Sequence, residues 1–242
     1  MKKSVIFLAG MVITMIAAGQ NQRIEDVTVT APKFNGAETF VQGSYFTTVD
    51  DFLSHIVEYP QEALTGGFQG TEVVEFVVTS SGEVSGFNII NSVCSEIDEE
   101  VMRAVKLTSG MWLPGSVNGE PADMKQEVAV TFKLHPTSDF VAMAKDYLKQ
   151  GNKMLLKGNT RKALDYYDKA VTVLPNEEAL LAARGMCRYQ LGDEEGATRD
   201  WNRLKSLGYF DNSHSEGENL LANYKVLKGY NEMIRFTQNQ SK

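Results

Sequence analysis

Two hydrophobic periods divide the chain. From Thr71 to Thr79 (TEVVEFVVT), Val74, Phe76 and Val78 fall two apart, the period of a strand with one buried face. Ser80-Ser81-Gly82-Glu83 follows as a turn, and Val84 to Asn91 (VSGFNIIN) reads as the second strand of a hairpin. Ile97, Val101, Ala104 and Val105 then recur at helical spacing. Ser95 stands where a cap is needed, and Glu96, Asp98, Glu99 and Glu100 favour the positive end of that helix. Trp112-Leu113-Pro114-Gly115 and Asn118-Gly119-Glu120-Pro121 carry turn chemistry. The cleanest alternation comes last. Val128, Val130, Phe132 and Leu134 interleave with Glu127, Ala129, Thr131 and Lys133, which predicts a strand over 126–134.

Beyond residue 140 the period becomes helical, and a longer repeat appears. Gly151 matches Gly185, Gly158 matches Gly192, Ala163 matches Ala197, Tyr167 matches Trp201 and Tyr147 matches Leu181, each pair 34 residues apart. Small Gly151 and Ala163 let two antiparallel helices approach closely. Tyr167 fills the groove to the next helix, and Pro175 ends the second helix of the first unit. The second unit is degenerate: Leu204 stands where Ala170 stood and Tyr209 where Pro175 stood.

The first residues obey neither period. Lys2 and Lys3 precede an uncharged, mostly apolar run from Val5 to Ala18, and Ala17 and Gly19 sit two apart before a polar stretch. This is the pattern of a secretory signal over 1–19. The run is shorter than the roughly 20 apolar residues of a spanning helix. An uncleaved anchor is the alternative.

Charge sharpens the division. The net charge is −7, but residues 23–141 carry −12 and residues 142–242 carry +3. The acidic half argues against nucleic acid as a partner. Cys94 and Cys187 are the only cysteines and fall on either side of the boundary. Two separate thiols or one disulfide are both open to an exported chain. His55, His135 and His214 have no second ligand at metal spacing. No phosphate loop, nucleophile elbow or paired catalytic carboxylate is present. A non-enzymatic chain with no cofactor is expected.

The order Tyr59-Pro60, Ala63, Gly67, Gln69-Gly70, the hairpin with Gly82, Ile97-Asp98-Glu99-Glu100, Trp112, Pro114-Gly115, Gly119-Glu120-Pro121 and Phe132-Lys133-Leu134 resembles the TonB C-terminal domain. It is closest to the form of Bacteroidetes-type chains, whose lead-in Pro32-Lys33-Phe34-Asn35-Gly36 also resembles. The resemblance implies a domain over 41–136 after a lead-in at 20–40. It implies a small antiparallel three-stranded sheet with a helix on one face, and a partner segment added as a strand at an exposed edge. Gln126, Glu127, Ala129, Thr131 and Lys133 are the candidate edge residues.

Tyr147, Gly151, Ala163, Tyr167, Ala170 and Pro175 are similar in spacing to a tetratricopeptide repeat. Two repeats are placed at 144–211 and a capping helix at 217–238, giving an α+β chain with an all-α second domain. Lys145, Leu148, Asn152 and Met186 are the candidate groove residues. Lys145 and Asn152 fit two positions of the carboxylate clamp found in some such arrays, but Leu148, Ala182 and Ala183 occupy others, so a clamp is not assigned. Lys145, Lys149, Lys153 and Lys157 form an i,i+4 stripe, either a solvated face or a docking surface for an acidic partner.

Together these readings imply a periplasmic adaptor with protein or peptide partners, among them a segment of an outer-membrane TonB-dependent receptor. The alternative is an energy transducer anchored in the inner membrane. The short apolar run, its lack of His and the absence of a Pro-rich spacer depart from the transducer pattern. A strand-swapped homodimer is compatible with either. N-terminal sequencing of the exported protein is expected to start near Gln20, in the soluble periplasmic fraction. Recovery of Met1 in the inner-membrane fraction would favour the transducer.

Overall fold

The nine residues of β4 (Gly70–Val78) pair antiparallel and without interruption with the nine of β9 (Met124–Phe132), from Gly70 opposite Phe132 to Val78 opposite Met124. This register turns Val74, Phe76, Val78, Val128, Val130 and Phe132 to one face, all fully buried or nearly so. The face is closed by α3 (Ser95–Lys106) through Ile97, Val101, Ala104 and Val105, and by α1 (Val49–Ile56) through Phe52 and Leu53. Each of the larger side chains is worth about 1.5–3 kcal/mol of hydrophobic burial.

The computed structural model describes residues 4–6, 27–36, 45–209 and 228–238, with the backbone alone for 4–6, 228 and 237–238. The signal-cleavage positions, Leu221, Tyr224, Leu227 and His214 lie outside the described residues. The chain divides between Pro136 and Thr137 into two units.

In the first unit, β5 (Val84–Asn91) flanks β4 on one side, and β1 (Ser4–Ile6) flanks β9 on the other, in the order β1-β9-β4-β5. The sheet therefore has four strands, one more than the sequence predicts. The last strand runs from Met124 to Phe132 and not from 126 to 134. The lead-in also belongs to the fold. β2 (Val29–Thr30) pairs with β7 (Gly115–Val117), and β3 (Lys33–Phe34) pairs with β6 (Trp112–Leu113). The expected turn at 118–119 closes a hairpin between β7 and β8 (Glu120–Ala122). Asn118 and Gly119 hold φ of 53° and 85° there, as a two-residue hairpin turn of the primed type requires. Trp112 is the hub of the unit. Its ring meets Phe34 edge-on at 5.4 Å and Phe76 at 5.6 Å, and its Nε1 donates to Thr108 Oγ1 at 2.9 Å. The short helix α2 (Gln61–Gly66) buries Ala63 against this core.

The cap of α3 differs from expectation. Cys94, with φ −167°, is the cap residue, and Ser95 is already helical. The Ser95 hydroxyl donates to Glu96, while Ser92 Oγ reaches Asp98 at 2.8 Å.

The second unit is helical: α4 (Phe140–Leu156), α5 (Thr160–Val173), α6 (Glu178–Gln190), α7 (Glu194–Ser206) and α8 (Lys228–Gln238). The 34-residue period is visible in three dimensions. Asn159 and Asp193 cap α5 and α7 in the same way, accepting from Lys162 N at 3.1 Å and Gly196 N at 2.8 Å. A side chain on Gly151 would run into the Tyr167 ring, and one on Gly185 would lie 2.7 Å from Trp201 Nε1. Pro175 forces an extended residue before it, and α5 ends at Val173 with Leu174 at ψ 81°. Where the second unit has Tyr209 in place of proline, the phenol donates to Asn176 O at 2.9 Å.

Gly151→Ala sets a gain in helix propensity of about 1 kcal/mol against overpacking of about 1–3 kcal/mol. Tyr167 is fully buried and its hydroxyl donates to Asn152 Oδ1 at 2.7 Å, so the ring has no room to retreat. A net loss of roughly 1–2 kcal/mol is expected in denaturant melts of the helical signal, with Lys149→Ala as a near-neutral exposed control.

Candidate functional site: a sheet edge and a helical groove

The candidate edge lies on β9. Its inner residues Val128, Val130 and Phe132 belong to the core, so only its second face and its outer rim meet anything else. On the second face, Thr71 lies opposite Thr131 and Val73 opposite Ala129. All four are buried, and the two threonine hydroxyls lie 3.2 Å apart. Ala129 at 4% and Thr131 at 6% exposure are therefore not the solvent-facing residues that simple alternation predicts, because this face of the sheet is covered as well. Gln126 and Glu127 are half-buried, and Gln126 Nε2 donates to Lys125 O at 2.7 Å. Lys133 falls one residue past the strand. Beside them Lys125 Nζ meets Glu75 Oε1 at 2.8 Å.

The outer rim of β9 takes a strand. Ser4, Val5 and Ile6 pair antiparallel with Thr131, Val130 and Ala129. The opposite rim of the sheet is different. The ladder of β5 with β4 shifts register between Val73 and Val74 and again between Glu75 and Val77, and Gly86 holds φ +59°. Such bulges break the regular row of donors and acceptors that a partner strand reads.

The period-two pattern also places Glu72 on the core face with Val74 and Phe76, and the structure buries it completely. The sequence carried this signal in TEVVEFVVT, although the carboxylate was not singled out. Val93 N donates to Glu72 Oε2 at 2.9 Å, and Oε1 has no partner. Burial, aided by the nearby Asp98 and opposed by the Val93 amide, pushes the carboxyl up to about 9. Glu72 is then neutral at physiological pH.

The groove candidates separate. Lys145, Leu148 and Asn152 lie along α4 and line a common groove with Lys149, Lys153 and Leu156. Met186 does not join them. It is fully buried, and a side chain on Gly229 of α8 would lie 2.9 Å from its backbone. Ala182 and Ala183 are equally inaccessible. The helix α8 thus packs against α6 at Met186 and Tyr189.

Among the described residues no group of three or more His, Cys, Asp or Glu is placed to hold a metal. No helix among them is long and apolar enough to cross a membrane. Both thiols are free, Cys187 buried and pushed up to about 12 by desolvation, Cys94 half-buried and also raised by burial. The His55 ring lies 5.3 Å from that of Phe46.

Residues 56–134 match the model of the Gram-negative bacterial TonB protein C-terminal family. Over this segment the chain is similar to the TonB C-terminal family. A solution structure of the Helicobacter pylori TonB C-terminal domain aligns at 20% identity over 37% of this chain and 90% of that one, with a TM-score of 0.28. No curated protein matches the chain.

The neutral Glu72 makes this domain sensitive to pH. The folded pKa is raised above the ordinary carboxylate value, so folding retains a proton that the unfolded chain releases. This group's contribution is fully present below about pH 4.5 and is lost as pH rises toward about 9. Glu72→Gln keeps the shape and removes the ionisation. The variant is expected to melt higher than the parent at pH 8, and the difference should shrink toward pH 5 with a slope of at most about 1.4 kcal/mol per pH unit. Parallel melting curves across this range would show that Glu72 is not held neutral.

Proposed function

We propose that the protein is a non-enzymatic binding protein of the Gram-negative envelope. In this reading its TonB C-terminal domain captures an extended segment of another envelope protein, such as an outer-membrane receptor, as an added strand on the outer rim of β9. The helical unit reads as a short tetratricopeptide array that holds a second protein or peptide. Export to the periplasm and removal of residues 1–19 complete the reading, and neither unit requires a cofactor.

The observation that carries the strand-addition reading is the pairing of Ser4–Ile6 with Ala129–Thr131. A strand can satisfy the rim of β9 with main-chain hydrogen bonds, as peptide augmentation requires. The bulged rim of β5 offers no comparable row. If the first residues are removed on export, the rim is left open to a partner. Backbone pairing also explains why no conspicuous cluster of polar side chains marks the edge: the recognition groups are amides and carbonyls.

The test uses a chain beginning at Gln20 and a soluble synthetic peptide carrying Ser4-Val5-Ile6. Amide shifts and exchange protection are expected to change at Ala129, Val130 and Thr131. Alternate N-methylation of the peptide removes its donors and should abolish the effect along one rim pattern. Equal binding of both N-methylated registers, or perturbation centred on β5, would exclude this rim as the site.

A further inference from the structure

Among the described residues, the helical unit carries a row of lysines with no carboxylate at ion-pair distance. Lys145, Lys149 and Lys153 project from α4 at i,i+4 spacing, interleaved with Leu148, Asn152 and Leu156. Together the six line a groove of about 410 Å³. Four arginines of the unit are ion-paired: Arg184 and Arg188 with Asp200, Arg199 with Glu195, Arg235 with Glu232. Among the described residues no carboxylate lies within ion-pair distance of Lys145, Lys149 or Lys153. Like charges one turn apart repel and weaken a helix. The row therefore concentrates positive charge along one face of α4.

The same face exposes apolar surface. Leu156 is 90% exposed, and Val141, at the start of the same helix, is 50% exposed. A solvated lysine face needs neither. Lysines flanking exposed aliphatic side chains on one face of α4 suit an occupant with the opposite charge and its own apolar anchor. The groove has no aromatic side chain on which a base could stack. Met186, Ala182 and Ala183 are buried, so among these positions the accessible ones lie on α4.

We propose that the α4 groove is a docking site for an acidic, amphipathic segment of a partner protein. Asp and Glu side chains of the segment meet Lys145, Lys149 and Lys153, while an aliphatic or aromatic side chain seats between Leu148 and Leu156. The proposal rests on the reading of the helical unit as a peptide-binding array and adds the chemical class of its ligand.

The full chain is used to select from a displayed library of random peptides, and a selected peptide is then titrated by fluorescence anisotropy. Selected peptides are expected to be rich in Asp and Glu around Leu or Phe. Binding should weaken with rising ionic strength. It should fall about tenfold or more for the double variant Lys149→Glu, Lys153→Glu and for Leu156→Ser, since loss of one buried leucine contact is enough for that change. All three positions are exposed, and circular dichroism checks that the variants fold. Peptides enriched without acidic bias, yet lost with Leu156→Ser, would leave the helical unit a peptide binder and overturn the acidic assignment. Failure to enrich any peptide would overturn both. Binding to phosphatidylglycerol vesicles that the double variant loses, with no peptide enriched, would reassign the row to a lipid surface.

Discussion

The uninterrupted pairing of β4 with β9 is the constraint on which the first unit depends. Its register decides which residues of both strands enter the core. A slip of one residue would exchange every inward side chain for an outward one. The same register carries Glu72 into the core beside Val74, and so makes it neutral. It also distinguishes the two rims of the sheet. β9 is locked to β4 along its whole length and stays regular, while β5 follows β4 through two register shifts. Regularity is what a partner strand reads, so the ladder that builds the core also determines which rim can recruit.

The second unit depends on close approach between helices. Gly151 against Tyr167 and Gly185 against Trp201 are the same contact repeated, small residue under large ring. Around it lies a charged network. Asp200, nearly fully buried, accepts from Arg184 at 2.6 Å and from Arg188 at 3.0 Å, and Arg188 reaches Asp168 at 3.1 Å. These residues tie α5, α6 and α7 together. A buried ion network adds little net stability over an apolar core, but removal of one partner strands the others in a dry site. Here two guanidiniums face one buried carboxylate, so Asp200 is the member whose loss leaves the most charge uncompensated.

Much of this was legible in the sequence because the signals were periodic. Period two marked the strands, period 3.6 marked α3, and the 34-residue repeat marked the helix pairs and their glycine contacts. What was not legible was non-local. Nothing in Val29-Thr30 or Lys33-Phe34 announces that these short segments pair with residues some eighty positions later. Alternation placed Ala129 and Thr131 outward correctly as to face, but it assumed that the second face was wet. Met186 sat at a groove position by spacing, and only the packing of α8 shows that it is covered. Glu72 was readable from parity alone. A carboxylate in phase with Val74, Phe76 and Val78 has no place on that face unless it is buried and protonated.

The two proposed binding modes differ in what they discriminate. Strand addition draws its affinity from main-chain groups that every residue except proline supplies, so it tolerates sequence and is nearly indifferent to salt. The lysine row of α4 recognises charge and weakens with ionic strength. Residues 23–141, at −12, and residues 142–242, at +3, also present different fields to an approaching chain. A partner bearing both an extended segment and an acidic amphipathic segment would engage the second site at the effective concentration set by its own spacer. Neither mode alone needs to be tight. Selectivity would come from a geometric coincidence, two unlike segments at the right separation on one polypeptide, which a single short motif does not provide.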